Sequence, residues 1–354
     1  VAVVLSLSLV AWPPAAAQTP VPKLKVGQVT DMGGLDDRSF NATAWKGIAD
    51  AIVQLDVAGH VLESHDMADY ERNITEFLRE EYDLIITVGF LLGDATKAAA
   101  EANPDRNFAI VDFNYDPEIP NVLGLTFATD EAAFLAGYLA AAMTKTGKVG
   151  AFGGIKIPTV TIFEVGFESG INYYNQQHGT NVELLGWKTD PAIEGGGDGI
   201  FVGNFESTDD GRRVGESLID EGADILMPVA GPVGIGTAAA CMDRGTMMIG
   251  VDTDWYISAP EFFEVYLTSV LKNMDVAVFD AIKALQDGAF AGGTYVGTLE
   301  NNGVGLARFH DFDAQVSEEV KTELEEIKQG IIEGTIETGW PPMPPEEPAE
   351  GEGE

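Results

Sequence analysis

The chain has 354 residues, with 57 acidic against 20 basic side chains and a formal net charge of −37 at pH 7. So negative a surface repels nucleic-acid phosphates and anionic membrane surfaces, and we expect no nucleic-acid partner. Hydrophobic residues make up 45% of the chain, enough for real cores in the two domains that this length suggests.

The first segment of the sequence is apolar. Residues 1–12 are nearly all hydrophobic, and small residues follow Pro13 and Pro14. This pattern is typical of a secretory signal peptide, and the run is shorter than the ~20 residues that span a bilayer. We therefore expect residues 1–17 to be the remainder of a signal peptide of an extracytoplasmic protein, in the periplasm or cell envelope. A buried first strand is the alternative. No cysteine follows the run, so no lipoprotein attachment motif is evident.

From Leu24 onward, short apolar runs alternate with amphipathic stretches. The apolar runs predict strands at 24–30, 60–65, 83–89, 107–113, 122–127, 148–154, 182–188, 223–231, 247–252, 265–271 and 294–299. Helical spacing predicts helices from Phe40 to Leu55 and at 130–146, 159–178, 209–222, 233–245, 273–288 and 316–334. Because these strands are too apolar to have one wet face, the alternation predicts parallel sheets with helices on both sides.

About ten such strands exceed one ordinary sheet, so the sequence predicts two lobes. A seam is expected at 127–131, where a strand runs directly into a helix. The sequence assigns residues 24–128 and 255–288 to lobe 1, and residues 129–254 and 289–336 to lobe 2. Three consecutive glycines within 191–199 predict a surface loop. The Pro/Glu/Gly-rich end, 341–354, predicts a disordered acidic tail.

Ligands of doubly wound sheets bind beyond the carboxyl ends of the strands. Acids, amides, glycines and aromatic residues gather at the predicted strand ends, and bases are scarce. The segments concerned are 31–34, 89–90, 112–114, 230–232 and 252–255. A carboxylate accepts hydrogen bonds from a diol, and an aromatic face covers a planar ring. The segments therefore predict a neutral, polyhydroxylated and partly planar ligand rather than a phosphate.

Several motifs, in a fixed order, give the chain a family resemblance. The first is QVTDMGGLDDRSFN at 28–41, with Trp45 and Gly47. The others lie at 134–137, 144–150, 222–224, 230–231, 250–252, 268–272 and 302–304. Together they resemble the basic membrane protein family, the nucleoside-binding proteins of ABC importers that include the purine nucleoside receptor type. The resemblance covers roughly residues 24–336.

This resemblance implies a type I periplasmic-binding fold, with two α/β lobes of doubly wound parallel sheets joined by a three-strand hinge. It implies a monomeric protein that captures nucleosides, purine nucleosides in particular, and presents them to an ABC permease. The ligand-binding residues that it implies are Phe40 and Phe205 around the base, Asp31 and Asn41 at the base edges, Asp112, Asp252 and Lys272 at the ribose hydroxyls, and Gly231 through its backbone. Trp255 departs from the family pattern, which has Gln there, and Gly203-Asn204 departs from Gly-Ser.

Three of these assignments have structural alternatives. Residues 31–37 also fit a plain strand-to-helix turn in which Asp37 or Ser39 caps the helix. Phe40 begins the apolar stripe of its helix, a position typical of core packing. Lys272 ends an apolar strand, where a solvated side chain is the usual outcome.

Enzyme motifs are weak in this sequence. Residues 30–37 resemble the calcium-binding opening of nucleoside hydrolases, but Val29 stands where that motif needs an acid. A loose G-x-G-x-x-A at 234–239 fits a dinucleotide turn, and close helix packing also explains its small residues. The four histidines lack metal-ligand spacing, and Cys241 has no second thiol to pair with. We therefore expect a binding protein, not an enzyme, without cofactor or metal. The alternatives are another small polar ligand such as a sugar, and nucleoside hydrolysis.

Overall fold

The computed structural model describes residues 23–193 and 195–341. The predicted signal segment 1–17, and all of the predicted tail except Pro341, lie outside them. The strands are β1 (Lys25–Val29), β2 (Ala58–Leu62), β3 (Leu84–Val88), β4 (Asn107–Val111), β5 (Val122–Phe127), β6 (Lys148–Gly153), β7 (Glu183–Leu185), β8 (Trp187–Thr189), β9 (Gly197–Gly199), β10 (Ile225–Val229), β11 (Met247–Asp252), β12 (Tyr266–Lys272), β13 (Gly293–Gly297) and β14 (Val304–Leu306). The helices are α1 (Phe40–Gln54), α2 (Ala68–Arg79), α3 (Gly93–Ala102), α4 (Thr129–Met143), α5 (Pro158–His178), α6 (Thr208–Asp220), α7 (Val233–Arg244), α8 (Trp255–Ser258), α9 (Met274–Gln286) and α10 (Glu318–Ile332).

Two six-stranded sheets form the centres of two lobes. Their strand orders are β13-β5-β4-β3-β1-β2 in lobe 1 and β14-β12-β11-β10-β6-β7 in lobe 2. Neighbouring strands are parallel except for the antiparallel pair β12–β14. Central strands such as β3 and β10 are buried along their whole length because helices cover both faces of each sheet. The predicted fold class is confirmed.

In the part of the chain that the structure describes, the backbone passes between the lobes three times, and two of these passages lie where the sequence did not place them. The first, from β5 to α4 at 127–129, falls within the predicted seam. The second joins β12 to α9 at 272–274, and the third joins β13 to β14 at 297–304.

The predicted division of the C-terminal part therefore needs correction. Within 255–288, which the sequence assigned to lobe 1, β12 pairs with β11 in the sheet of lobe 2. Within 289–336, which it assigned to lobe 2, β13 pairs with β5 in the sheet of lobe 1. Three elements match the division: α9 packs on α1 of lobe 1, β14 pairs with β12 in the sheet of lobe 2, and α10 packs on α4 of lobe 2. Local sequence cannot reveal this exchange, since an apolar strand satisfies either sheet.

The segment predicted as one strand at 182–188 contains two. Gly186, with φ +85°, separates β7 from β8, and β8 pairs antiparallel with β9. The predicted loop 191–199 consequently ends in a short strand rather than remaining a loop throughout. Helices α2 and α3 and strand β14 are additions that the apolar pattern did not predict.

Helices α4 and α5 pack closely because glycines remove side chains from their interface. A Cβ atom at Gly170 would lie 1.9 Å from the carbonyl oxygen of Phe134, and one at Gly137 would lie 2.1 Å from that of Phe167. The nearly all-apolar α4 is thus buried between its neighbours.

Across the ranges 23–193 and 195–341, no helix is both long and apolar enough to cross a membrane.

Candidate functional site

A cleft between the two lobes contains about 600 Å³ of space free of protein atoms, part of it open to solvent. The strands of both sheets end at its walls, so the residues that follow them reach it. All eight residues that the resemblance assigned to a ligand line this one cleft: Asp31, Phe40, Asn41, Asp112, Phe205, Gly231, Asp252 and Lys272. The sequence motifs therefore converge in space.

Two carboxyl groups occupy matching positions in the two lobes. Asp112 follows β4 and Asp252 ends β11, and these strands stand third in their respective sheets. Both residues have left-handed backbones, with φ of 66° and 70°. Aspartate tolerates this conformation better than most residues, although it still carries strain of the kind that functional sites often hold. Each lobe thus presents one strained, buried carboxyl group to the cleft.

Lys272 joins the two lobes beneath the cleft. Its Nζ lies 2.6 Å from Oδ2 of Asp112, and the side chains are only 3% and 6% exposed. Burial raises the pKa of the Asp112 carboxyl, and the adjacent ammonium of Lys272 offsets part of that rise. Burial likewise raises the pKa of Asp252, again opposed by Lys272. The alternative of a solvated Lys272 is wrong, because the strand end that carries it is closed off by the opposite lobe.

Asp31 is held by two donors on one of its oxygens. Its Oδ1 accepts hydrogen bonds from the backbone N–H of Met32, at 2.8 Å, and from the hydroxyl of Tyr70. Burial raises the pKa of Asp31, and the bond from Tyr70 opposes that rise. Oδ2 takes part in neither bond and remains as an acceptor. Tyr70 lies on α2, and its role was not visible in the sequence.

The side chain of Asn41 forms hydrogen bonds with the backbone of Asp31 and Met32. Its Oδ1 accepts from the N–H of Asp31 at 3.0 Å, and its Nδ2 is 3.4 Å from the carbonyl oxygen of Met32. Gln28 in turn donates to the backbone carbonyl of Asn41 at 3.1 Å. The amide therefore holds the turn after β1 in place, and any contact with a ligand would be additional to these bonds.

Ser39 occupies the N-cap position of α1, but its side chain makes no capping hydrogen bond, and Asp37 caps the helix instead. The Asp37 carboxylate accepts from the backbone N–H groups of Ser39, Asn41 and Ala42, at 2.6–3.1 Å. Burial nevertheless raises the pKa of Asp37 to about 6. The Ser39 hydroxyl instead donates across the cleft to Oδ2 of Asp252 at 2.7 Å. Ser39 is thus a second polar link between the lobes.

Phe40 and Phe205 line the cleft from different lobes and are both half-buried. Phe40 also packs against the core, so the packing alternative holds for part of its surface. Lys272 Nζ lies 5.1 Å from the centre of the Phe40 ring, within the range of a cation–π contact. The Phe205 ring packs directly against Gly154, and no larger residue fits at that position. A Cβ atom at Gly154 would lie 2.2 Å from Cε1 of the ring.

Gly231 follows β10 with φ +53° and leads into α7. The glycines of the predicted dinucleotide turn lie beyond it in α7, and they serve helix packing. A Cβ atom at Gly236 would lie 1.8 Å from the carbonyl oxygen of Thr208, and one at Gly234 would lie 2.8 Å from Trp255. Trp255 itself is buried in the core of lobe 2, so this departure from the family pattern lies outside the cleft lining.

The cleft also contains residues that the sequence analysis did not assign to a ligand. Phe90 and Met32 stand at strand ends, so the strand-end rule already pointed to their segments. The start of α5 adds a third group: Ile157, Thr159, Val160 and Phe163. No sequence signal marks these four, because three apolar residues and one threonine at a helix start resemble any core face. In the described ranges, no cluster of three or more His, Cys, Asp or Glu side chains is placed to hold a metal.

In the described residues, two doubly wound lobes are crossed three times by the chain and enclose a cleft, which is the type I periplasmic-binding fold of ABC transporter solute-binding proteins. Within that class, the chain belongs to the Bmp family, the PnrA-like substrate-binding proteins of ABC transporters, which matches residues 24–195 and 200–339. The family resemblance and the function class are therefore confirmed. Membership in this family implies a ligand and a permease as partners.

Individual relatives agree with this assignment. The chain is 32% identical over 330 residues to a CD4+ T-cell-stimulating antigen of Listeria monocytogenes, covering 88% of this chain and 87% of the relative. It is 30% identical to the ABC transporter nucleoside-binding protein BmpA of Lactococcus lactis, covering 88% of each. The crystal structure of an ABC transporter solute-binding protein from Aeropyrum pernix K1 superposes with a TM-score of 0.79 at 28% identity, covering 89% of this chain and 92% of the other.

Proposed function

We propose that this protein captures a nucleoside in the interlobe cleft and delivers it to the permease of an ABC importer. One observation carries the proposal: an aromatic ring from each lobe lines the same cleft as a carboxyl group from each lobe. Rings suit the flat base, and carboxylates suit a sugar diol. The name of the Lactococcus lactis relative, a nucleoside-binding protein, supports this choice over other small polar ligands.

The proposed roles follow the chemistry of each group. Phe40 and Phe205 stack on the two faces of the base, and Asp31 accepts hydrogen bonds from its edge, supported by Asn41. Purine nucleosides are the favoured ligands, because two fused rings offer more stacking area than one. The ribose hydroxyls donate to Asp112 and Asp252 and accept from Lys272, while Gly231 contributes its backbone. This set is the same as the one implied by the sequence motifs.

Closure of the lobes accompanies binding in this proposal. The ligand contacts both lobes only when the cleft is closed, so its differential affinity shifts the population toward that state. Lys272 and Ser39 already bridge the lobes, and the ligand adds to these links. We further propose that the protein acts as a monomer outside the cytoplasm, directed there by the signal pattern in residues 1–17, and that it performs no catalysis.

Calorimetric titration with a panel of ligands tests the proposal. The panel comprises adenosine, guanosine, inosine, cytidine and uridine, with free bases, ribose and glucose as separate arms. We expect purine nucleosides to bind at least tenfold more tightly than ribose or any free base. Binding of a free sugar in preference to every nucleoside would overturn the proposal.

A pair of phenylalanine variants tests the stacking contact. Phe205→Ala should weaken nucleoside binding by about tenfold or more, since stacking on an aromatic ring contributes ~1–3 kcal/mol per base. Phe263→Ala is the matched control, because Phe263 is an exposed ring of lobe 2 outside the cleft lining. Equal affinities of wild type and Phe205→Ala would exclude stacking of the base between Phe40 and Phe205.

Incubation with inosine and calcium tests the alternative of nucleoside hydrolysis. Catalytic release of ribose would establish that the protein is an enzyme instead.

A further inference from the structure

A second cavity lies next to the ligand cleft, on the side of the hinge. It encloses about 1340 Å³ of space free of protein atoms, part of it open to solvent. The two spaces have four lining residues in common: Phe90, Asp112, Thr159 and Lys272. We call this space the hinge-side cavity.

The shared residues show which end of the cleft opens into the hinge-side cavity. Asp112 and Lys272 belong to the sugar end in the proposed function. By contrast, Asp31, Phe40 and Phe205, which are assigned to the base, do not line the hinge-side cavity. A ligand bound as proposed would therefore point its sugar, and not its base, toward this cavity.

Aromatic and aliphatic side chains form much of the wall. Phe113, Phe127 and Trp340 line it together with Val296. The ring centres of Phe113 and Phe90 lie 5.2 Å apart, so an aromatic surface continues from the cleft into the cavity. Trp340 is half-buried, and it follows Thr338, whose hydroxyl donates to the buried Asp130 carboxylate. Burial of apolar groups of a ligand against such a wall is favourable, because it removes apolar surface from water.

The charged groups of the cavity do not suit an anion. Two carboxyl groups, those of Asp112 and Asp130, line it against the single ammonium of Lys272. That ammonium is already bonded to Asp112 at 2.6 Å. A phosphate would therefore meet acceptors and no unpaired cation. The suitable occupant is uncharged.

We propose that the hinge-side cavity is a subsite for an uncharged, largely apolar substituent on the sugar of the bound nucleoside. This inference rests on the proposed function, in which Asp112, Asp252 and Lys272 hold the ring hydroxyls and leave the 5′ carbon free. The ligand class thus includes nucleosides extended at the 5′ position, beyond the unmodified nucleosides of the family resemblance. Nucleoside 5′-phosphates are excluded from it.

A series of 5′-alkylthio-5′-deoxyadenosines tests the subsite by calorimetry on the wild-type protein. Going from methylthio through propylthio to benzylthio, we expect the affinity to rise about three- to fourfold for each buried methylene. Adenosine is the reference, and adenosine 5′-monophosphate should bind at least tenfold more weakly than adenosine. A flat or falling affinity along the series would overturn the subsite. Equal binding of the monophosphate would overturn the argument from charge.

Filling the cavity separates a subsite from simple exposure of the substituent to solvent. Val296→Trp should leave adenosine affinity unchanged and abolish the gain from the longer substituents, because Val296 lines only the hinge-side cavity. Val276→Trp is the matched control, since Val276 is a similarly exposed residue of α9 outside both cavities. Trp340→Ala should likewise reduce the gain from the benzyl group, with thermal unfolding confirming that it folds. An unchanged series in Val296→Trp would refute the subsite, whereas failure of adenosine itself to bind would refute the proposed function.

Discussion

Lys272 of lobe 2 donates a hydrogen bond to Asp112 of lobe 1 at 2.6 Å, and both side chains are almost completely buried. The pair joins the two lobes, and any opening that separates Lys272 from Asp112 would break it. Opening the lobes would hydrate both charges, which limits the net stabilisation that the closed pair provides. The same two groups are proposed to hold the ligand, and closure and recognition are therefore coupled through one contact.

Replacing Lys272 should open the protein. In Lys272→Met the carboxyl groups of Asp112 and Asp252 lose their nearby cation, and opening lets water solvate them. We expect nucleoside affinity to fall at least a hundredfold and the radius of gyration from small-angle X-ray scattering to increase. Lys283→Met removes an exposed pair with Asp287 on α9 and should change neither quantity. A closed, fully binding Lys272→Met variant would contradict the coupling.

Tyr70→Phe should change the pH dependence of binding. Burial raises the pKa of Asp31, and the Tyr70 hydroxyl opposes that rise by donating to the carboxylate. Without the hydroxyl this pKa rises further, so nucleoside affinity should begin to fall at a higher pH as the solution is acidified. Calorimetric titration from pH 4 to 8 measures the midpoint of this loss.

A second tyrosine provides the control for this measurement. Tyr115→Phe also removes a hydroxyl from lobe 1, one that donates to the carbonyl of Gly93 away from the cleft. It should leave the midpoint where it is in the wild type. A midpoint that moves equally in both variants, or in neither, would show that Tyr70 does not position Asp31.

Asp37 should make the folded state less stable as the pH rises. Burial raises its pKa from 3.8 to about 6, so the folded protein holds the proton more tightly than the unfolded chain. The resulting stabilisation is complete below pH 3.8 and is lost as the pH rises through 6, a change of about 3 kcal/mol. Urea unfolding should show this loss of stability between pH 4 and pH 7 in the wild type and not in Asp37→Asn. The variant Asp36→Asn changes an exposed neighbour and keeps Asp37, so it should behave as the wild type.

Ribose hydroxyls should contribute strongly to affinity. The cleft offers Asp112, Asp252 and Lys272 to them, and a nucleoside lacking a hydroxyl leaves a buried polar group unpaired. We expect 2′-deoxy- and 3′-deoxyadenosine to bind at least tenfold more weakly than adenosine in calorimetry. Equal affinity of all three would mean that the carboxyl groups serve only to link the lobes.

Gly154→Ala should weaken binding without touching the ligand. Its Cβ atom would lie 2.2 Å from the Phe205 ring and would force the ring to move. The expected loss of affinity is comparable with that of Phe205→Ala. Gly305→Ala is the control, because no neighbouring atom lies within 4 Å of its Cβ position and Gly305 is also in lobe 2. Similar affinities of the two alanine variants would argue against a role for Phe205.

Local sequence alone determined most of the strands and helices and the location of the strand ends that line the cleft. Apolar runs such as Leu84–Val88 predict buried strands because their burial follows from composition, whatever strand lies beside them. The motifs likewise named eight residues that now line one cleft.

The tertiary structure decided how distant segments meet. Nothing local distinguishes β12, which pairs in lobe 2, from β13, which returns to lobe 1, because both fit any parallel sheet. The contact between Lys272 and Asp112 joins residues 160 positions apart, and Tyr70 of α2 reaches Asp31 in the turn after β1. Periodicity records which face of an element is buried but not which partner buries it. The lobe assignment, the link across the cleft and the hinge-side cavity therefore arise only when the chain is folded.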